Sequence, residues 1–233
     1  MISWKDRVSR ASSGGEDHAG SQKNKLIPLR LQEEVRIQGL PLWKTILRRG
    51  STRRFARKAI PFGKLSWILH SSSTMAVPLS ITTKRFNFGD IYLIANSVDG
   101  LPSGSYFFDR ENESLELLKL GYFRNVSTYL CLEQPLFGEA SAVLFLMANL
   151  QSNLAALGNR GYRVVELEAG VIAGKVYLSS YSQKLGASGS TFYDDAVTEF
   201  FSPHASGKSC MIAVGVGVPD YKARPGAILV GGE

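Results

Sequence analysis

Apolar residues in this chain follow two rhythms, and the switches between them mark out the elements. Near-helical spacing appears at Leu42, Trp43, Ile46 and Leu47, then at Leu65, Trp67, Ile68 and Leu69, predicting helices over about 42–50 and 64–72. Asp90–Ser97 (DIYLIANS) is nearly continuous in apolar residues and predicts a buried strand. After the turn Gly100–Gly104, SYFFD and SLELLK alternate with a period near two on either side of RENE, which predicts a hairpin. Residues 122–131 carry a helical pattern, and Ser141–Asn149 (SAVLFLMAN) predicts a second buried strand. The longest element runs from about Arg160 to Leu185, where Val164, Leu167, Val171, Ile172, Val176, Leu178 and Tyr181 recur at helical spacing. A turn with a short strand (GASGSTF), a helix from about Asp194 to Phe200, the loop SPHASGKS and a last strand, CMIAVGVGV, complete the series. One hairpin, mixed strands and helices and a very long central helix predict an α+β fold and argue against a doubly wound βαβ series.

The polar stretches divide the chain. Residues 1–25 are Ser- and Gly-rich without a period and are expected to be a disordered tail or the remnant of a linker. Residues 26–233 then form a single domain, with 26–40 an extended arm in which Pro28 opposes an early helix; such an arm either crosses a partner subunit or lies loosely on its own domain. Residues 71–83 are loop-like. Inside the long helix, Gly170 and Gly174 each cost about 1 kcal/mol against alanine, and the expected reason is close approach of another helix on that face.

Charge sharpens this division. The chain has 233 residues and a net charge of +7, but residues 1–58 hold 14 Lys/Arg against 5 Asp/Glu, so the remainder is close to −2. The basic excess belongs to the N-terminal segment, which weakens any whole-protein case for a nucleic-acid binder. Cys131 and Cys210 sit in apolar settings and read as buried thiols. No CxxC or His/Cys cluster points to a metal, no apolar run is long enough to span a membrane, and the N-terminus has no signal-peptide pattern, so a cytoplasmic protein is expected. Neither GxGxxG after a strand nor GxxxxGK[ST] occurs, so neither a Rossmann nor a P-loop nucleotide site is supported.

Four groups of residues are suited to chemistry. RRGSTRRF (Arg48–Phe55) packs guanidinium forks, two hydroxyls and a glycine together, and Arg49, Ser51 and Arg53 alternate so that three donors can face one way on an extended segment. This is either a phosphate-holding element or a solvated basic turn. Gly186–Thr191 is a small-residue turn whose backbone N–H groups could face a ligand, or else a helix C-cap with Gly186 in the left-handed region. Lys222 and Arg224 (YKARP) could complete a phosphate clamp or lie in solvent. Arg160, Tyr162 and Arg163 open the long helix against its dipole, with Glu166 and Glu168 nearby as salt-bridge partners. Asp194 and Asp195 are adjacent and read as a helix N-cap, not a paired-carboxylate site. His204 is a loop histidine that could donate a proton.

Taken together, these motifs resemble the nitroreductase superfamily of flavin enzymes. Arg49-Gly50-Ser51-Thr52-Arg53 matches the family's R-x-S-x-R element, while NRGYRVVELEAG (Asn159–Gly170) and LGASGSTFYDDAVTEFFSPHASGKS (Leu185–Ser209) are similar to the SagB-type dehydrogenase branch, particularly to the second domain of its tandem-domain members. The resemblance covers about Leu40 to Pro219. It implies a mixed, mainly antiparallel sheet flanked by helices, and a dimer with FMN in the groove between two subunits. Arg49, Ser51 and Arg53 would hold the flavin's polar chain; Gly189, Ser190 and Thr191 would pass the flavin edge, with backbone N–H groups of Ser190 and Thr191 near N5; Lys222 and Arg224 would approach the phosphate. No catalytic side chain is assigned by it; Tyr162, Lys175 and His204 are the candidates. The implied activity is an oxidoreductase passing hydride through flavin N5, on a small-molecule or peptide substrate. One departure stands out: where the branch has Pro-Ser-(Ala/Gly)-Gly, this chain has TTKRFNFGDIY. The alternative is therefore a non-catalytic or half-site subunit that pairs with another nitroreductase-like domain.

Overall fold

The computed structural model describes residues 26–31, 39–73 and 89–221. The predicted tail (1–25), part of the arm, most of the 71–83 loop, the stretch TTKRFNF and both Lys222 and Arg224 lie outside the described residues. The elements in chain order are β1 (Leu26–Pro28), α1 (Leu42–Arg48), β2 (Ile60–Pro61), α2 (Phe62–Ser73), β3 (Gly89–Ala95), β4 (Val98–Asp99), β5 (Gly104–Asp109) and β6 (Ser114–Leu120). They continue with α3 (Arg124–Leu130), α4 (Pro135–Glu139), β7 (Ala142–Ala148), α5 (Leu150–Leu157), α6 (Arg160–Ser182), β8 (Gly186–Ser190), α7 (Asp194–Phe201) and β9 (Ser209–Gly217).

Seven strands form one antiparallel sheet in the order β1-β6-β5-β3-β7-β9-β8, while β2 and β4 make a separate parallel pair. Successive side chains of a strand face opposite ways, and here each face has its own helices. Ile91, Leu93, Leu144, Leu146, Val214 and Val216 meet Leu65, Ile68 and Leu69 of α2 and Ala169, Ile172, Ala173 and Val176 of α6. Tyr92, Ile94, Val143, Phe145 and Met147 meet Val126 and Leu130 of α3, Phe137 of α4 and Val197, Phe200 and Phe201 of α7. β7, between β3 and β9 with both faces covered, is buried at all seven positions, which accounts for its unbroken apolar run.

Several expectations need correction. The described start of the arm pairs with β6 of its own sheet, Ile27 opposite Leu115, and Pro28 is accommodated because β1 is an edge strand. Among the described residues, Gly170 and Gly174 do not receive a helix: both are exposed, and an added Cβ would meet nothing within 4 Å. It is Gly161 that packs tightly in α6, where a Cβ would fall 2.5 Å from the Asn153 carbonyl oxygen of α5. The left-handed residue after α6 is Lys184 (φ 61°), and Gly186 is a buried strand residue. Glu168 does not serve Arg160 or Arg163 but turns inward, 3.8 Å from Arg110. Tyr193 is the N-cap of α7; Asp194 and Asp195 occupy its first turn, and Asp194 accepts the Cys210 N–H at 2.7 Å.

Candidate functional site

The segment 49–56 lies against the outer edge of the sheet. The Arg49 N–H closes the last turn of α1 onto Thr45 (2.8 Å), and its extended backbone sends the chain toward β8. The Thr52 N–H then donates to the Ala187 carbonyl of β8 (2.8 Å), and Ala56 donates to Val218 (2.9 Å), just beyond β9. Alternation follows: Thr52 is buried while Arg49, Ser51 and Arg53 are exposed, as the spacing of donors anticipated. The inward position is tight, since a Cβ on Gly186 would fall 2.1 Å from Thr52 Oγ1, so glycine there is a requirement of close approach.

Three tyrosines hold consecutive residues of this segment. The Tyr177 hydroxyl lies 3.3 Å from Ser51 Oγ, and the Tyr181 hydroxyl 3.2 Å from Thr52 Oγ1. Being four apart on α6, the two rings share a face and reach successive residues. The Tyr221 hydroxyl accepts the Arg53 N–H at 2.9 Å and donates to the Ser51 carbonyl at 3.4 Å. None of these contacts was predicted; the only signal in the sequence is the pair of tyrosines at helical spacing.

β8 is an edge strand, so alternate residues direct their N–H and C=O away from β9. Ala187 and Gly189 have this outward parity, because Ala187 accepts from Thr52 and Gly189 donates its N–H to the Tyr177 hydroxyl. Ser190 pairs with Ala213, which turns its amide toward β9, and its side-chain oxygen accepts from Gln134 Nε2 at 2.7 Å. Thr191 is exposed at the strand's end. The structure thus brings Arg49, Ser51 and Arg53 beside Gly189 and Thr191 on the outer side of β8, while Ser190, expected to offer its backbone N–H, is committed to β9 and Gln134. Among the described residues, Arg49 and Arg53 have no carboxylate partner, whereas Arg54 lies 3.6 Å from Asp220. Exposed guanidinium groups, a hydroxyl and an outward backbone donor are a donor set suited to a flavin mononucleotide's phosphate and ring edge.

The three side chains considered for catalysis are not gathered there. Tyr162 is exposed in the first turn of α6 beside Glu166, whose charge and hydrogen bond raise its pKa; it precedes Tyr177 by about 22 Å along the axis at 1.5 Å per residue. Lys175 donates to the Ser71 carbonyl at 3.2 Å, and burial lowers its pKa. His204 belongs to a different cluster on the α7 side of the sheet. Its Nδ1 is 2.8 Å from the Tyr92 hydroxyl, Lys208 Nζ lies 2.7 Å from the same oxygen and 2.8 Å from Asp90 Oδ2, and His204 Nε2 is 3.8 Å from Glu116. Burial raises the Tyr92 pKa; for Lys208 burial acts downward, but hydrogen bonds to Asp90 and Tyr92 outweigh it and raise the value. Two strands, β7 and β9, separate Tyr92 on β3 from β8. Among the described residues no group of three or more His, Cys, Asp or Glu could hold a metal ion.

Known structures share this architecture. A provisionally named nitroreductase from Anabaena variabilis superposes with a TM-score of 0.71 at 24% identity, covering 88% of this chain and 45% of that one. A second, from Ralstonia eutropha, gives 0.67 at 23% identity, covering 87% and 93%. The fold is nitroreductase-like. The Escherichia coli microcin synthetase McbBCD complex, solved with truncated pro-MccB17 bound, contains a chain that matches at 0.61 and 15% identity over 92% and 91%. By sequence, a provisionally named nitroreductase of Methanocaldococcus jannaschii is 27% identical over 171 residues, 70% of this chain and 85% of that protein. No family profile matches the chain. The chain spans less than half the length of the Anabaena protein.

Proposed function

We propose that this chain forms one wall of an FMN-dependent oxidoreductase site of the nitroreductase type, completed by a second copy or by another nitroreductase-like domain. The observation that carries this reading is the convergence of Arg49, Ser51 and Arg53 with the outward edge of β8, two stretches far apart in sequence that Thr52–Ala187 and Ser51–Tyr177–Gly189 lock together. Arg49 and Arg53 would hold the phosphate, joined by Lys222 and Arg224; Ser51 would hold the polar chain; Gly189 and Thr191 would supply outward backbone donors to the ring edge. A bound flavin would supply the hydride chemistry at N5, and the chain's contribution is anchoring and orientation. The resemblance to the provisionally named nitroreductase of Methanocaldococcus jannaschii supports an oxidoreductase, and the fold shared with a chain of the synthetase complex solved with truncated pro-MccB17 makes a peptide a substrate worth testing beside small molecules.

The need for a second wall is supported by surface character. Leu42, Trp43, Ile46 and Leu47 of α1 are 64, 61, 50 and 58% exposed, next to the segment that would hold the phosphate. Four adjacent exposed apolar side chains on one helix mark a contact surface. The competing reading, a half-site subunit without its own turnover, is favoured by the openness of the β8 edge and by TTKRFNFGDIY in place of the Pro-Ser-Gly motif.

Incubation with FMN followed by gel filtration tests the first reading: the protein fraction should stay yellow and bleach with a reductant. Replacing Arg49 and Arg53 by Ala should weaken FMN about 100-fold or more, since charge-assisted hydrogen bonds contribute roughly 1.5–3 kcal/mol each. A preparation that stays colourless overturns the flavin assignment. A yellow protein that bleaches but passes no electrons to any acceptor supports the half-site reading.

A further inference from the structure

We propose that Tyr177 is a positioning residue that occupies the flavin-facing donors of the site until a flavin displaces it. This inference rests on the flavin reading above. Its basis is that one hydroxyl satisfies two groups assigned independently to the cofactor. Tyr177 accepts the outward N–H of Gly189 and lies 3.3 Å from Ser51 Oγ. A hydroxyl carries one proton, so accepting from Gly189 leaves that proton for Ser51, and both bonds can coexist. An N–H makes one well-aligned bond, however, so a ring atom of the flavin and the Tyr177 oxygen compete for Gly189.

The rest of the frame is built to survive the exchange. When Tyr177 lets go, Thr52 keeps its backbone bond to Ala187 and its side-chain contact with Tyr181, and Arg53 keeps Tyr221. Only Ser51 and Gly189 lose a partner, and these are the groups a flavin would take. Glycine at 189 fits the same role. A Cβ there would sit 3.4 Å from the Tyr177 oxygen, in ordinary contact with the space where hydroxyl and ligand alternate. An edge N–H without a partner invites strand pairing with another molecule, so a protein that waits for its cofactor gains from an internal cap.

The test uses full-length protein labelled with 15N-glycine, wild type and Tyr177→Phe, each titrated with FMN while the Gly189 amide is followed by NMR and binding by flavin fluorescence. Without FMN, the Gly189 amide of Tyr177→Phe should shift and exchange at least several-fold faster. At saturation the two proteins' Gly189 resonances should converge, because the flavin and not the tyrosine then holds the amide. FMN should bind the variant about 3- to 10-fold more tightly, the competition of one ordinary hydrogen bond having been removed. In the wild type alone, labelled additionally with 13C-tyrosine, the Gly189 amide and the Tyr177 ring resonances must move together along the titration, which keeps the test decisive should the variant fold poorly. Weaker FMN binding by Tyr177→Phe would make the hydroxyl a ligand and overturn the proposal while leaving the flavin reading intact. An unchanged Gly189 amide in the variant would also overturn it. Absence of FMN binding by the wild type would overturn the flavin reading and this proposal with it.

Discussion

At the level of single residues, Arg110 and Glu168 bring two opposite charges 3.8 Å apart inside the protein. The sequence places Glu168 among arginines at the start of a long helix, and a surface salt bridge follows naturally. Helical phase decides otherwise: Glu168 shares the inward stripe with Val165, Ala169 and Ile172, and it is 2% exposed. Arg110, just after β5, enters the same pocket with its side chain 10% exposed, and burial lowers its pKa against the opposing charge of Glu168. Removing one charge of a buried pair typically costs about 3–5 kcal/mol, whereas replacing both by apolar residues is close to neutral; Asp90 also acts on Arg110, so the guanidinium keeps one opposing charge when Glu168 is removed. Glu168→Leu should therefore lower stability by about 3 kcal/mol or more in urea unfolding, and Arg110→Met combined with Glu168→Leu should restore most of the loss. Additive losses in the double variant would mean that the two charges act separately. No pattern in the sequence joins residues 110 and 168, because the pairing depends on how the end of the β5–β6 hairpin meets α6.

At the level of elements, periodicity carried far. The hairpin, the long helix and the three buried strands were legible because each buries a defined stripe or two faces, and burial imprints a period on the sequence. The elements it missed bury little or are very short. Every residue of α5 is exposed or half-exposed, and its start is fixed by Asn149 accepting the Ser152 N–H rather than by an apolar stripe. α4 has only five residues, opened by Pro135. The glycines of α6 illustrate the opposite failure: their spacing suggested a packed helix, but Gly170 and Gly174 face outward with nothing within 4 Å. In the isolated chain they only weaken the helix. Gly170→Ala and Gly174→Ala should each stabilise the monomer by roughly 1 kcal/mol, read as a higher urea midpoint at low protein concentration. Should the partner domain pack on this face, the same substitutions would instead weaken association at higher concentration. The candidate segment followed the same logic, since the outward placement of Arg49, Ser51 and Arg53 was legible from alternation, while the Tyr177 bridge to Gly189 required knowing that β8 is an edge.

For the molecule as a whole, two properties follow from how burial is distributed. The first is sensitivity to base. Tyr106 on β5 is fully buried, its hydroxyl donates to the Pro102 carbonyl at 2.6 Å, and burial pushes its pKa up from 10.0 to about 12. The folded protein keeps this proton after the unfolded chain has released it, so the contribution is complete below pH 10 and is lost as pH rises through about 12. A shift of this size corresponds to about 2–3 kcal/mol. Lys208, also raised, acts with the same sign above its ordinary 10.5. Unfolding free energy should fall between pH 10 and 12, and Tyr106→Phe should flatten that slope while lowering stability near neutral pH by about 1 kcal/mol, the loss of one hydrogen bond. The second is a surface suited to association. The sheet places β1 at one edge and β8 at the other, and the β8 edge carries both the candidate flavin donors and, on the adjoining helix, the exposed Leu42, Trp43, Ile46 and Leu47. Their solvent exposure means that Trp43→Glu and Leu47→Glu should leave the monomer's stability within about 0.5 kcal/mol of the parent. If this surface is where the second wall docks, the charges should shift light-scattering mass toward the monomer and weaken FMN binding together, although neither residue belongs to the segment proposed to hold the phosphate. Loss of association with FMN affinity intact would show that the open edge of β8 is sufficient by itself, and would move the second wall elsewhere.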